Sequence, residues 1–280
     1  MGDLLSLTPV VDYYSKVGDV TLICSNKNVF NNFDIKIINP EKNKFLKIFL
    51  PILNSSLYSN IIGAFELPIN MNKKKVHLRE ALLSKRPDVC KKISKVEHNV
   101  IIKFNDKEIR EFSKKYKELL KTEYGLIISG SFSGGLCQVK NWGPKNMQKI
   151  VDATYEKINW IQTGTKDEPR LNKSFLDLRG KTNLREIFFL VSKSKLIVTT
   201  EGFLTHISSA FDIPCITTYS GYHYPEISLY DNIIPIQPYP LPKCAYCWNS
   251  PCLEYNDPIC LKNIRVENVL KEANRVLNIK

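Results

Sequence analysis

Four of the chain's eight cysteines, Cys244, Cys247, Cys252 and Cys260, fall in one stretch near its end, CAYCWNSPCLEYNDPIC. The spacing C-x2-C-x4-C-x7-C supplies four thiolates, a donor set for a tetrahedral structural ion such as zinc or iron. Unligated thiols bracing a loop fit the same pattern. A knuckle that grips nucleic acid takes a histidine as one ligand, and this stretch has none. A second chemical element is LIVTTEGFLTHISSAF, where an apolar strand runs into Thr199, Thr200, Glu201 and Gly202 and then into a helix carrying Thr205 and His206. Unpaired N–H groups at such a strand-to-helix turn favour phosphate, and a glycine permits close backbone approach. A carboxylate there suits sugar hydroxyls better than phosphate. An ordinary turn with a threonine cap and a satisfied core histidine is the alternative. The third element, IISGSFSGGLCQVKNW, places Ser131 and Ser133 among glycines ahead of Lys140 and Trp142. Small residues can wrap anionic oxygens while a lysine supplies point charge. No Gly-Lys-Ser/Thr follows, so this is not a P-loop, and a plain surface loop fits equally.

The elements that must position these groups follow an alternating pattern. LTPVVDYYSKV, with Pro9 near its start, reads as a helix, and DVTLICS and FDIKII read as short strands. A charged amphipathic helix spans Glu108 to Thr122. After it come a strand in GLIISGS, a helix in PKNMQKIVDATYEK, a strand in INWIQTG, a helix in NLREIFFLVSKS, the strand KLIVTTEG, the helix FLTHISSAF and the strand PCITTYSG. Such alternation predicts a parallel α/β sheet, with ligands collecting beyond the carboxyl ends of its strands.

With 280 residues, 43% of them hydrophobic, the chain has material for two ordinary domains. No apolar run approaches the ~20 residues needed to span a bilayer; the longest, Phe45 to Leu53, is broken by Lys47 and Pro51. The acidic start lacks the positive charge of a secretory signal, so a cytoplasmic protein is expected. Thiols stay reduced there, which favours a metal site or buried thiols over disulfides. The scattered Cys24, Cys90, Cys137 and Cys215 read as small core residues. A formal net charge of +12 favours anionic partners without choosing among nucleic acid, phosphorylated sugars and a membrane surface. The densest basic segment, NMNKKKVHLREALLSKRPDVCKK, reads as a solvated helical face.

The run DLRGKTNLRE, followed by a helix, a strand and the EG…H turn, resembles the donor-binding half of glycosyltransferase family 9, the ADP-heptose heptosyltransferases of bacterial surface polysaccharide assembly. Lys140 to Trp142 is similar to the family's Lys-x-Trp segment, GDLLSLTPVV to its first loop and helix, and the cysteine stretch to one found at the corresponding place in many members. The resemblance is dense from about Leu126 to Ile264 and thinner from Gly2 to Pro40.

This resemblance implies a GT-B architecture, two Rossmann-like domains facing a cleft. It assigns residues 1–120 to an N-terminal acceptor-side domain and residues 121–280 to a donor-binding domain with the four-cysteine loop at 244–260 and a final helix. It implies an inverting glycosyltransferase that moves a heptose or similar sugar from a nucleotide-diphosphate donor to a bacterial surface glycan or glycolipid, at the cytoplasmic face of the inner membrane. Asp3 takes the place of the base and Lys140 that of the diphosphate lysine. Glu201 takes that of an acid facing the donor sugar, and Gly202 to His206 the helix start below the phosphates. Catalysis needs no metal, so an ion on the cysteines would be structural. Two departures stand out. The family opens with an apolar strand before Gly-Asp, whereas this chain begins Met1-Gly2-Asp3, so the first domain is expected to lack that strand. Phe203 replaces a small residue and is expected to narrow the donor site. The alternatives are a catalytically inactive scaffold of the same fold, and a basic nucleic-acid-binding protein with a cysteine metal site.

Overall fold

A computed structural model describes residues 5–16, 19–24, 26–39, 80, 99–128, 138–253 and 258–278. Helix α1 (Thr8–Ser15) carries Pro9 in its first turn, where the missing N–H is not needed and the ring presets φ. Strands β1 (Thr21–Ile23) and β2 (Lys36–Ile38) pair in parallel, Thr21 opposite Lys36. Helix α2 (Asp106–Lys115) opens on a reciprocal cap: the Asn105 side chain accepts from the Glu108 N–H at 2.8 Å, and Glu108 accepts from the Asn105 N–H at 3.2 Å.

The remainder builds a six-stranded parallel sheet from β3 (Tyr124–Ile128), β4 (Asn159–Thr163), β5 (Leu176–Asp177), β6 (Leu196–Thr200), β7 (Cys215–Thr218) and β8 (Ile233–Ile236), in the order β5-β4-β3-β6-β7-β8. Strand order runs outward from β3 in one direction and from β6 in the other. This is the doubly wound nucleotide-binding arrangement, whose crevice opens where the direction reverses, beyond the carboxyl ends of β3 and β6.

Both faces of the sheet are covered, as the two-residue period of a strand requires. Leu126, Ile161, Ile197 and Cys215 point to one face and pack with helices α4 (Leu184–Ser192) and α5 (Phe203–Ser209). Ile127, Trp160, Val198 and Ile216 point to the other, against α3 (Pro144–Thr154) and α7 (Val266–Val276), with the short α6 (Ile259–Lys262), which carries Cys260, just ahead of α7. Gly125 is required by its neighbour, because a Cβ there would stand 2.6 Å from the Trp160 ring. Leu5, Val11, Val29 and Phe30 join the first of these clusters, so the described N-terminal elements and the larger sheet share one hydrophobic core across position 120. The Thr8 hydroxyl accepts from the Ile101 N–H at 2.8 Å, and Ser209 on α5 accepts from the Val100 N–H at 3.1 Å.

Most of the expected alternation is present. Strand β5 is too short to leave a periodic signal, and β8 contains Pro235, which argues against a strand unless it lies at an edge. Both form the edges of the sheet. The helix expected from Glu108 to Thr122 is Asp106–Lys115 followed by a separate 3-10 turn, Leu119–Lys121. Apart from Glu80, the basic segment of residues 70–92 lies outside the described residues. No helix of the described residues is long and apolar enough to cross a membrane.

Candidate functional site

Strand β6 ends by delivering Glu201 into the crevice, and the segment after β3 brings Lys140 to meet it. The carboxylate is buried, with a side chain only 6% exposed, and the Lys140 ammonium contacts Oε2 directly. The His223 Nε2 lies 3.2 Å from the same oxygen, and the Ser228 hydroxyl donates to Oε1 at 3.2 Å. Burial pushes the Glu201 carboxyl up, but the Lys140 ammonium and the His223 ring outweigh this and hold it well below the usual carboxylate range. Beyond Ser228 sits the Tyr219 hydroxyl, 3.2 Å from Ser228 Oγ; burial, and then the Glu201 charge, push that phenol up. Lys140, Glu201, Tyr219, Ser220, Tyr222 and His223 line a narrow cleft. The buried hydroxyls of Thr163, Thr218 and Ser220, all at or just beyond strand ends, have no hydrogen-bond partner among the described residues. Buried polar groups normally find one, so orphans at a crevice mark where ligand or water atoms fit.

The other expected donor residues are placed differently. Thr199 and Thr200 are buried at the end of β6. The Thr205 hydroxyl accepts from the Gly202 N–H at 3.3 Å, and His206 Nδ1 lies 2.7 Å from the Tyr230 hydroxyl, in the core. Neither Thr205 nor His206 lines the cleft that holds Lys140 and Glu201. Gly202 is extended, with φ 170°, and a Cβ there would meet only the Thr200 carbonyl at 3.8 Å, so its value is the open space it leaves rather than its backbone freedom. Phe203 packs against the hydrophobic core. Asp3, Ser131 and Ser133 lie outside the described residues, as do Cys90 and Cys137. His223, Ser220, Tyr222 and Ser228 escaped the motif reading because they follow β7 in a loop, YSGYHYPEIS, with no glycine-helix signature; the strand-end rule alone pointed there.

The DLRGKTNLRE run is explained by local structure. Asp177 at the end of β5 receives both arms of Arg179, Nε and Nη2 each at 2.8 Å, while Nη1 donates to the Glu168 carbonyl. That fork, more than partial burial opposes it, holds the Asp177 carboxyl down to about 2. Gly180 has φ +64°, and a Cβ there would stand 2.9 Å from the Lys166 Cβ. Asn183 and Glu186 cap α4 reciprocally, each bond 2.9 Å. Arg185 reaches back to Glu108 at 2.8 Å and lies over the Phe104 ring, pinning α4 to α2.

The cysteine loop packs beside the cleft. Cys244, Cys247, Cys252 and Cys260 all line one small cavity of about 20 Å³ together with Gly221 and Tyr222. None of the four forms a disulfide. Burial, and then the neighbouring sulfurs, push the Cys260 thiol up to about 11. Among the described residues no three His, Cys, Asp or Glu side chains are gathered closely enough to form a ready ligand set. Cys24 and Cys215 are buried, as expected of core residues.

The sequence model of glycosyltransferase family 9 (heptosyltransferase) matches residues 140–256, a span that opens on Lys140 and includes Glu201. No curated protein sequence matches the chain. Among solved structures, a family 9 glycosyl transferase from Veillonella parvula DSM 2008 is similar at a TM-score of 0.71 and 11% identity, over 100% of this chain and 95% of that one. TibC, an iron-containing dodecameric glycosyltransferase from enterotoxigenic E. coli H10407, is similar at a TM-score of 0.65 and 14% identity, over 99% and 74%. E. coli heptosyltransferase WaaC with ADP is similar at a TM-score of 0.53 and 15% identity, over 98% and 96%. The parallel α/β, GT-B-type fold expected from the motifs is the fold of these enzymes. The match over residues 140–256 and this shared fold make the chain similar to glycosyltransferase family 9, the family its motifs resemble.

Proposed function

We propose that the chain transfers a heptose, or a sugar close to it, from a nucleoside diphosphate donor to a bacterial surface glycan or glycolipid, with inversion at the anomeric carbon. One observation carries this reading: Lys140 and Glu201 meet at the crevice between β3 and β6, within the segment that matches the family. Support comes from TibC, solved in complex with ADP-D-β-D-heptose, and from WaaC, solved with ADP.

In this reading residues 121–280 bind the donor and residues 1–120 the acceptor. The Lys140 ammonium meets the diphosphate and stabilises the charge that develops as the leaving group departs. Glu201, whose two oxygens already face Lys140, His223 and Ser228, aligns that lysine and presents any remaining lone pair to the donor sugar. Inversion is a single displacement, so one base must take the acceptor hydroxyl proton while the sugar–phosphate bond breaks. Asp3 is assigned that role. Incubation with ADP-heptose and a bacterial glycolipid extract should yield a heptose-bearing product and ADP, detected by mass spectrometry. Asp3→Asn should stop transfer and leave ADP-heptose binding intact. Failure to bind or consume ADP-heptose, under conditions where WaaC does both, would refute the reading.

The same proposal gives Cys244, Cys247, Cys252 and Cys260 a structural zinc or iron ion. Four soft, disulfide-free donors lining one cavity support it. No step of the transfer passes through the ion, which would supply only a cross-link between Cys244–Cys252 and α6. Elemental analysis of reduced protein should find about one ion per chain, lost in Cys247→Ser; metal-free wild-type protein would leave buried thiols as the account.

A further inference from the structure

The cysteine loop reaches the cleft through a continuous set of contacts. Tyr246 and Trp248 both sit in the left-handed region, at φ 64° and 59°, an arrangement bulky residues keep only where their surroundings over-determine it. The Tyr246 N–H donates to the Gly221 carbonyl and the Trp248 N–H to the Tyr222 carbonyl, at 2.6 and 3.0 Å. These bonds lay the loop along residues 221–224. Gly221 is itself left-handed, φ +78°, and its Cβ position lies 3.5 Å from the Cys260 Cβ, in contact with the cysteine cavity. Above the backbone, the Tyr246 ring stacks on Tyr224 with centroids 3.9 Å apart, and the Trp248 ring lies 5.4 Å from His223 and 5.5 Å from Tyr222.

Those two neighbours of Trp248 are the ones that meet the charged pair. The Tyr222 ring lies 5.3 Å from the Lys140 ammonium, and His223 Nε2 faces Glu201 Oε2. On its other side His223 Nδ1 lies 3.1 Å from the Tyr224 carbonyl, so the imidazole is fixed at both nitrogens and on its face. The Trp248 Nε1 is buried without a partner among the described residues, so the indole acts here by shape.

We infer that His223 is a positioning residue for the donor site: held in place by Trp248 of the cysteine loop, it fixes the Glu201 carboxylate and, through it, the Lys140 ammonium that meets the donor diphosphate. The cysteine loop thereby sets donor affinity although none of its described residues lines the Lys140–Glu201 cleft. This rests on the donor-site reading given above, and the test separates the two.

ADP affinity is measured by titration calorimetry for wild type, His223→Ala, Trp248→Ala, their double variant, His223→Gln, Trp248→Phe and Lys140→Ala. Each of the first two single variants should weaken binding about fivefold to tenfold, the effect of losing one positioned charge-assisted contact. The double variant should bind no worse than His223→Ala, because Trp248 acts through the histidine. His223→Gln, whose amide N–H can donate to Glu201 from nearly the same place as Nε2, should restore most of the affinity, and Trp248→Phe should bind like wild type. Where Trp248→Ala does not fold, Trp248→Leu replaces it. Additive losses in the double variant, no rescue by glutamine, or unchanged affinity in both single variants overturns the inference while Lys140→Ala still loses binding. Wild-type protein that does not bind ADP, or a Lys140→Ala variant that binds it fully, overturns the donor-site reading and this inference with it.

Discussion

Two charged clusters in the same α/β unit have opposite characters. Around Asp177, Arg179 and Gly180, every strong group is consumed: the guanidinium spans both carboxylate oxygens and a carbonyl, and the glycine adopts a φ that only a residue without a side chain takes easily. Around Glu201, a buried carboxylate is matched by a lysine whose side chain is still 22% exposed, and hydroxyls beside it have no partner among the described residues. The first cluster is complete as it stands and holds the loop between β5 and α4. The second keeps polar groups that the described residues leave without a partner. A dense sequence motif can therefore mark a place where structure is demanding, while polar groups at strand ends mark where a ligand is proposed to bind.

The largest expected effect comes from breaking the second cluster. Lys140→Ala should cost about 3–5 kcal/mol of unfolding free energy, because removing one partner of a buried pair leaves the other uncompensated. It should also abolish the rise in Tm that ADP produces. Glu201 is held below its ordinary value, so its contribution is present above the unfolded carboxylate value and is lost as pH falls toward the folded one. A pH series of chemical denaturation on wild type and Lys140→Ala checks both; equal stability of the two would show that the pair is not the anchor described here.

A smaller loss is expected from Arg179→Lys, which keeps the charge but loses the fork. The Arg179 fork holds the Asp177 carboxyl down to about 2, a contribution on the order of 2 kcal/mol that is present above pH 4 and lost as pH falls through 2. The variant should lose most of this and show a flatter acid limb, with ADP affinity unchanged. Weaker ADP binding would sharpen the comparison the other way, by tying the motif to the site.

The smallest effect on stability belongs to Ser220→Ala. Its hydroxyl is buried without a partner among the described residues, so removing it should leave the ligand-free Tm unchanged or raise it by a degree or two, while ADP binding weakens a few-fold. A marked drop in Tm without ADP would mean that the hydroxyl is satisfied in solution.

The sequence announced the sheet better than the site. Strands such as Leu196–Thr200 and helices such as Leu184–Ser192 show themselves through period and caps, because local burial repeats along the chain. Lys140 and Glu201 were also legible, each standing at the end of a strand-like run. Their contact was not: Lys140 and Glu201 are brought together by the ordering of β3 beside β6, a non-local event that no short window encodes. His223 and Ser228 arrive through the loop after β7, where aromatic residues and proline give no period at all. His206 reads either as a ligand-binding group or as a satisfied core histidine; its Nδ1 lies 2.7 Å from the buried Tyr230 hydroxyl, an arrangement the sequence pattern alone does not distinguish.

The two edges of the large sheet bear on how copies of this chain can meet. One edge strand offers two residues, and the other interrupts its row of amide donors with Pro235. Neither presents the long, even ribbon that a second molecule could extend by adding a strand. Contact between copies through this sheet is therefore left to the side chains of the helices and loops that flank it, and the sheet is spared the open-ended growth that turns a crowded solution into fibre.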